Sequence, residues 1–131
     1  MIEKITARLL AIKSRTTDEL RKKLKLKGFH PDEIEIAIKK FTHLGYLNDA
    51  EIVTRRFEML IKKGYGPRLV AIKLQQQGLK MPSYPIALQK KVAQDLLKTS
   101  AFRKKDPQKQ GAALQRRGFD LDVIFSLIKQ S

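Results

Sequence analysis

The pattern Leu-x-x-x-Gly, followed at once by Phe or Leu, occurs three times in this chain, in KLKLKGF, KLQQQGL and ALQRRGF. With Gly28, Gly78 and Gly118 as a common origin, the next position holds Phe29, Leu79 and Phe119. The tenth position after it holds Ile38, Leu88 and Ile128, and the fourth before it Leu24, Leu74 and Leu114. A single copy is an ordinary helix C-terminus, with glycine in the left-handed conformation and the apolar residue folding back on the last turn. Three copies with matching flanks describe one supersecondary unit stacked three times, each copy burying its neighbour's apolar face. Such a chain is elongated.

Helical periodicity fills the rest of each unit. Apolar residues recur at spacings of three and four in almost every window, and no stretch alternates like a half-buried strand. Ile5, Leu9 and Ile12 share one face of a helix over 3–13; Thr16 with Glu19 three residues on has capping-box spacing, ahead of Leu20, Leu24 and the stop at Gly28. Pro31 or Asp32 opens a third helix with Ile34, Ala37, Ile38 and Phe41 on one side. Asn48 and Asp49 precede another over 49–63, with Ala50, Val53, Phe57 and Leu60 in its stripe. Pro67 after Gly66, and Pro107 after Asp106, suit first helical positions. No Gly or Pro interrupts 86–105, which predicts one long helix shared between the second and third units. The expected fold is all-α, a single domain over 1–131 made of three tandem three-helix repeats, 1–47, 48–88 and 89–131.

Charge narrows the partner. The chain carries 28 Lys and Arg against 13 Asp and Glu in 131 residues, a net +15. The excess is spread over 1–44, 45–80 and 81–131 as five, four and six charges, so it is no basic tail. A field of this sign attracts phosphate backbones or acidic protein surfaces. The absence of cysteine removes disulfides, thiolate metal sites and cysteine nucleophiles, and fits a reducing compartment, the cytoplasm. No apolar run is long enough to cross a bilayer, and no membrane role is expected.

Catalytic chemistry finds little footing. His30 and His43 are the only histidines, and no paired carboxylates stand at a metal-ligand spacing. Gly64-Tyr65-Gly66 lacks the following Lys and Ser or Thr of a phosphate cradle, and the serines sit in no nucleophile elbow. The chain is expected to be a binding protein, with no enzymatic activity and no cofactor or metal.

The residues carry a family likeness. Thr16-Thr17-Asp18-Glu19-Leu20-Arg21-Lys22-Lys23-Leu24 running into Lys27-Gly28-Phe29, then Leu44-Gly45-Tyr46-Leu47-Asn48-Asp49, then Lys63-Gly64-Tyr65-Gly66-Pro67, resemble the signatures of the RecX family in order and spacing. Arg117-Gly118-Phe119 is similar to the family's last unit. The resemblance implies a curved array of three-helix repeats that binds the RecA recombinase, lodges in the groove of its filament on DNA, and restrains strand exchange and ATP hydrolysis in recombination, DNA repair and the SOS response. It departs from the family pattern in the uninterrupted 86–105 stretch and in Gln75-Gln76-Gln77.

Candidate contacts to RecA or DNA fall in three groups. The first is Arg15, Arg21 and Lys23, around the second helix. The second is Arg55, Arg56, Lys62, Lys63, Tyr65, Arg68 and Lys73, where charge stands beside an aromatic that looks exposed. The third is Arg103, Lys104, Lys105, Arg116 and Arg117, on either side of the Asp106-Pro107 helix start. The other aromatics, Phe29, Phe41, Phe57, Phe119 and Phe125, read as core. A DNA- or RNA-binding helical protein with no recombinase partner is the alternative reading, and self-repulsion at this charge favours a monomer.

Overall fold

The apolar stripes fold into three hydrophobic clusters along the chain. The computed structural model describes residues 1–128, so the last three residues of the repeat placed at 89–131 lie outside the described residues. Among the described residues the secondary structure is helical, with no strand. The helices are α1 (Ile2–Ile12), α2 (Thr17–Leu26), α3 (Pro31–His43), α4 (Asp49–Lys62), α5 (Pro67–Gln75), α6 (Ile86–Leu97), α7 (Ser100–Arg103), α8 (Pro107–Arg116) and α9 (Leu121–Ile128). The architecture is an all-α array of helical units.

The repeated glycine motif closes α2, α5 and α8 in one geometry. Gly28, Gly78 and Gly118 have φ of 92°, 74° and 95°, a region that L side chains enter only with strain. At each, the amide of the following apolar residue donates to the carbonyl of the leucine four before the glycine: Phe29 to Leu24 at 3.3 Å, Leu79 to Leu74 at 3.0 Å and Phe119 to Leu114 at 3.2 Å. The glycine amides donate to Lys25, Gln75 and Gln115, completing a Schellman motif each time. The three leucines are wholly buried, at 0 % exposure.

Helix starts follow the caps. Thr16 and Glu19 form the reciprocal capping box, with the Glu19 amide donating to Thr16 Oγ1 at 3.1 Å and the Thr16 amide to Glu19 Oε1 at 2.9 Å. Asp106 accepts from the Lys109 amide at 2.9 Å ahead of Pro107. Gly66 supplies no side-chain cap to α5.

Packing groups the helices unevenly. The first cluster joins Leu9, Leu20, Leu24, Ile34, Ile38, Phe41 and Leu47 from α1 to α3 and the turn beyond. The second joins Ile52, Phe57, Val70, Leu74 and Leu79 from α4, α5 and the segment after them. The third joins Val92, Ala93, Phe102, Ala113, Leu114, Phe119 and Ile124 from α6 to α9. Ile61, Tyr84 and Leu88 pack against both the second and the third, whereas the first shares no residue with either.

Two features differ from the sequence expectation. The stretch 86–105 is not one helix: α6 ends at Leu97, and Thr99, with φ −69° and ψ 152°, leaves the helical region before the single turn α7. Its hydroxyl donates to the Leu96 carbonyl at 2.6 Å, the side-chain-to-backbone bond by which threonine competes with helix continuation. The third helix of each unit also starts at a different distance from its glycine. It begins three residues after Gly28 and Gly118, at Pro31 and Leu121, but eight after Gly78, at Ile86. Pro82 and Pro85 bias Met81 and Tyr84 away from the helical region and keep 79–85 irregular. Consequently α6 runs across position 88/89 and presents Leu88 to two clusters.

Candidate protein and nucleic-acid interface

The fifteen candidate residues separate by what already holds their side chains. Arg21 is engaged within the first group of helices: its Nε donates to Glu35 Oε2 at 2.8 Å, its Nη2 to Glu35 Oε1 at 3.1 Å and its Nη1 to Asp18 Oδ1 at 2.8 Å. Hydrogen bonding from Arg21 holds the Glu35 carboxyl below its ordinary range. Arg15 donates from Nε to the Leu9 carbonyl at 3.3 Å. Arg55 makes a long i,i+4 contact with Glu51 at 3.8 Å and stays exposed.

Arg56 ties α4 to α2. Its Nη1 and Nη2 reach Glu19 Oε2 and Oε1 at 3.1 and 3.0 Å, a fork matched to a carboxylate, and its Nη1 also donates to Gln77 Oε1. Partial burial alone raises the Glu19 carboxyl, but the Arg56 guanidinium and the Thr16 amide outweigh it and hold Glu19 below its ordinary value. Around this pair, Thr16 Oγ1 donates to the Gln77 carbonyl at 3.3 Å and the Thr17 amide donates to Asp49 Oδ1 at 2.9 Å. The Thr-Thr-Asp-Glu run is thus a joint between helix groups as well as a helix start.

A second joint gathers residues distant in sequence. The Gly66 amide donates to the Arg117 carbonyl at 2.8 Å, and the Arg68 amide to the Gly118 carbonyl at 3.0 Å. The two backbones lie so close that a Cβ on Gly66 or Gly118 would fall within 3.0 Å of Phe119 or Leu69 backbone atoms. That approach explains why α5 begins on glycine rather than on a capping side chain: the Gly118 carbonyl accepts from an amide that a cap would otherwise serve. Arg117 crosses the joint, donating from Nη1 to the Lys63 carbonyl at 2.9 Å. Tyr65 is not an exposed aromatic. Its half-buried ring has Lys73 Nζ at 5.2 Å and the Arg117 guanidinium at 6.0 Å from its centroid, both within cation–π range. Its carbonyl accepts from the Tyr84 hydroxyl at 2.8 Å, and burial pushes that phenol up to about 12.

The structure therefore brings Lys63, Tyr65, Arg68 and Lys73 together with Arg116 and Arg117, and Arg68 and Arg116 line one shallow cavity. Among the described residues, no hydrogen bond or ion pair reaches the side chains of Lys23, Lys62, Lys63, Arg68, Arg103, Lys104, Lys105 or Arg116. Of the fifteen candidates, these eight are the cations whose side chains have no internal partner among the described residues. In the sequence Gly66 reads only as the residue ahead of the Pro67 helix start. The available signal for its second role was a glycine in a place where the other units carry Thr or Asp. Phe125 also departs from the core assignment, at 60 % exposure on α9.

Comparison with known proteins converges on one family. A family model described as RecX, first three-helix domain, matches residues 5–41, the span of α1 to α3. The Regulatory protein RecX of Pseudomonas tolaasii is 31 % identical over 131 aligned residues, covering 92 % of this chain and 84 % of the relative. That of Legionella pneumophila (strain Corby) is 29 % identical over 138 aligned residues, covering 94 % and 89 %. The crystal structure of RecX from Lactobacillus salivarius superposes with a TM-score of 0.82 at 21 % identity, covering 98 % of this chain and 92 % of that one, a likeness of fold.

Proposed function

The chain belongs to the RecX family, and from that premise we propose that it regulates a RecA recombinase by binding the RecA–DNA filament and restraining strand exchange and ATP hydrolysis in recombination, repair and the SOS response. Kinship over nearly the whole chain with proteins named as RecX regulators carries this reading. The physical means is an array of helical units, read as 1–47, 48–88 and 89–131, along which unpaired cations are spaced to meet phosphates and acidic protein groups together. Lys62, Lys63, Arg68, Arg103, Lys104, Lys105 and Arg116 are its contact residues, with Lys23 and Arg55 at the edge. Arg21, Arg56 and Arg117 act through the architecture instead, because their guanidiniums are spent on internal acceptors. We assign the protein no catalysis of its own, a cytoplasmic site of action and a monomeric state; among the described residues no helix is long and apolar enough to cross a membrane.

The test is binding of labelled protein to RecA filaments on single-stranded DNA, beside the same DNA bare, at about 0.15 M salt, where exposed charges more than about 8 Å apart are screened. Tighter binding to the filament with a fall in its ATP hydrolysis is expected. The triple variant Arg55→Glu, Lys62→Glu, Lys63→Glu should bind the filament about tenfold more weakly or worse with unchanged helicity. Equal binding to bare DNA, with no effect on ATP hydrolysis, would transfer the protein to the alternative of a direct DNA- or RNA-binding array. That alternative also predicts a steeper fall of affinity with salt, about 0.9 log units per phosphate contact per decade on duplex.

A further inference from the structure

The first two groups of helices each present a helix N-terminus, that of α2 and that of α5, to the group that follows. On α2, the Thr17 amide meets Asp49, and Asp18 meets the region of Gly78. On α5, the Arg68 amide meets the Gly118 carbonyl, and Leu69 meets Gly118 itself. The equivalent position on α8, forty residues beyond Arg68 in the Gly78-to-Gly118 register, is Gln108, whose amide has no acceptor among the described residues. The same face of α8 opens with α9 into an apolar groove of about 650 Å³, lined by Gln108, Gly111, Ala112, Leu121 and Phe125. Leu121 is 47 % and Phe125 60 % exposed.

No close approach requires the glycine at 111, which lines this groove. A glycine inside a helix costs about 1 kcal/mol relative to alanine. A Cβ at 111 would nevertheless meet only Ile124 and Ile128, at 3.6 and 3.7 Å, ordinary van der Waals contact. The fold has room for alanine there, and the groove would keep its form with it.

We propose that the α8–α9 groove is a docking site for an acidic, amphipathic α-helix of a partner protein, seated as the helix groups seat on one another. Charge selects the sign. The groove continues past Ala112 and Gln115 into the cavity lined by Arg68 and Arg116, neither of which has a carboxylate partner among the described residues. A second copy of this chain is a poor occupant. The free end of its repeat, at Gly28, has nothing within 4 Å of a Cβ but stands beside Lys25 and Lys27, and would meet like charge. A helix fits better than an extended peptide, because the described residues offer no strand edge and a helix satisfies its own backbone while its apolar side chains fill the groove. Its carboxylates pair with the two guanidiniums, and an oxygen at its carbonyl end accepts from the Gln108 amide.

The proposal goes beyond the recombinase reading, and its test contains neither recombinase nor DNA. The probe is a fluorescent peptide of about 18 residues, five helical turns, with leucines at three and four spacing and glutamates elsewhere. A scrambled peptide of the same composition and a lysine-for-glutamate version are the controls, read by anisotropy at about 0.15 M salt. Both controls are expected to bind about tenfold more weakly or worse. Gly111→Leu fills the groove and should lower affinity about tenfold, whereas Gly111→Ala should bind as the parent and melt higher. Phe125→Ser, at an exposed position, should also weaken binding, and it decides the matter if Gly111→Leu fails to fold. Equal binding of the scrambled peptide would overturn the proposal, as would unchanged affinity in Phe125→Ser. Self-association that Gly111→Leu or Phe125→Ser abolishes would overturn it too, by giving the groove to a second copy.

Discussion

The joint between α2 and α4 and the joint between α5 and α8 solve one problem with different chemistry. In both, a helix N-terminus is set against the next group of helices, and its amides find acceptors there. At the first joint the acceptor is the Asp49 carboxylate, and the clamp is the Glu19–Arg56 ion pair. At the second it is a backbone carbonyl, admitted by two glycines, and the apolar clusters on either side merge through Ile61, Tyr84 and Leu88. A charged joint between separate cores permits independent opening; a backbone joint between shared cores does not. The first three helices should therefore behave as one unit of stability and the remainder as another.

The largest test of that division is in the cores. Leu24→Ala and Leu74→Ala each remove a wholly buried side chain, at about 2 to 5 kcal/mol. The division predicts different reach. In native-state hydrogen exchange, Leu24→Ala should expose α2 and α3 while α8 keeps its protection, whereas Leu74→Ala should lower protection in α5, α6 and α8 together. Equal loss in α8 for both variants would merge the two units.

Next in size are paired glycine substitutions. Gly28 and Gly118 have nearly the same φ, 92° and 95°, but a Cβ at Gly28 meets open space while one at Gly118 strikes Leu69. Gly28→Ala should cost about 1 kcal/mol, the left-handed strain alone. Gly118→Ala adds the loss of two backbone hydrogen bonds and should reach about 3 kcal/mol. Matching urea midpoints for the pair would mean that the second joint does not depend on close approach.

What could be read from the sequence divides along the same line. Local signals carried through: the capping box at Thr16 and Glu19, proline at the starts of α3, α5 and α8, the glycine stops and the leucines behind them are short-range patterns with one physical meaning each. The joints were not legible, because they depend on which residues meet across 21 to 61 positions, and composition is silent on that. Arg56 and Arg117 looked like surface cations for the same reason, since a guanidinium spent on an internal carboxylate or carbonyl has the same one-letter code as a free one. The break at Thr99 escaped because its signal, a hydroxyl competing for the Leu96 carbonyl, is weaker than the Gly or Pro that usually marks a helix end.

The charged joint predicts a smaller, pH-dependent effect. Glu19 has its folded pKa depressed, so its contribution is present above the unfolded value near 4.5 and is lost as pH falls through the lower folded value. Glu19→Gln removes the same ion pair at any pH, at about 1 kcal/mol once solvent screening of this partly exposed pair is allowed for. The stability difference between parent and variant should thus be full at neutral pH and shrink below about 4.5. A difference that stayed constant into acid would show that Glu19 acts there through shape rather than charge.

The backbone joint should respond to alkali instead, through Tyr84. Its hydroxyl donates to the Tyr65 carbonyl, and its ring meets Phe57 edge-on at 5.5 Å, so the fold accepts the phenol and disfavours the phenolate. Burial raises its pKa from 10.0 to about 12. The neutral form is the one the folded state prefers, so the stabilisation is intact below pH 10 and is withdrawn as pH rises from 10 towards 12. Tyr84→Phe keeps the ring but leaves the Tyr65 carbonyl without that donor, at about 0.5 to 1.5 kcal/mol. Subtracting the variant's curve from the parent's isolates the part that belongs to the Tyr84 hydroxyl. The urea midpoint of the parent should fall towards that of Tyr84→Phe across this window, while parent and Glu19→Gln run parallel. The reverse pattern, with Glu19 mattering in alkali and Tyr84 in acid, would exchange the chemistry assigned to the two joints.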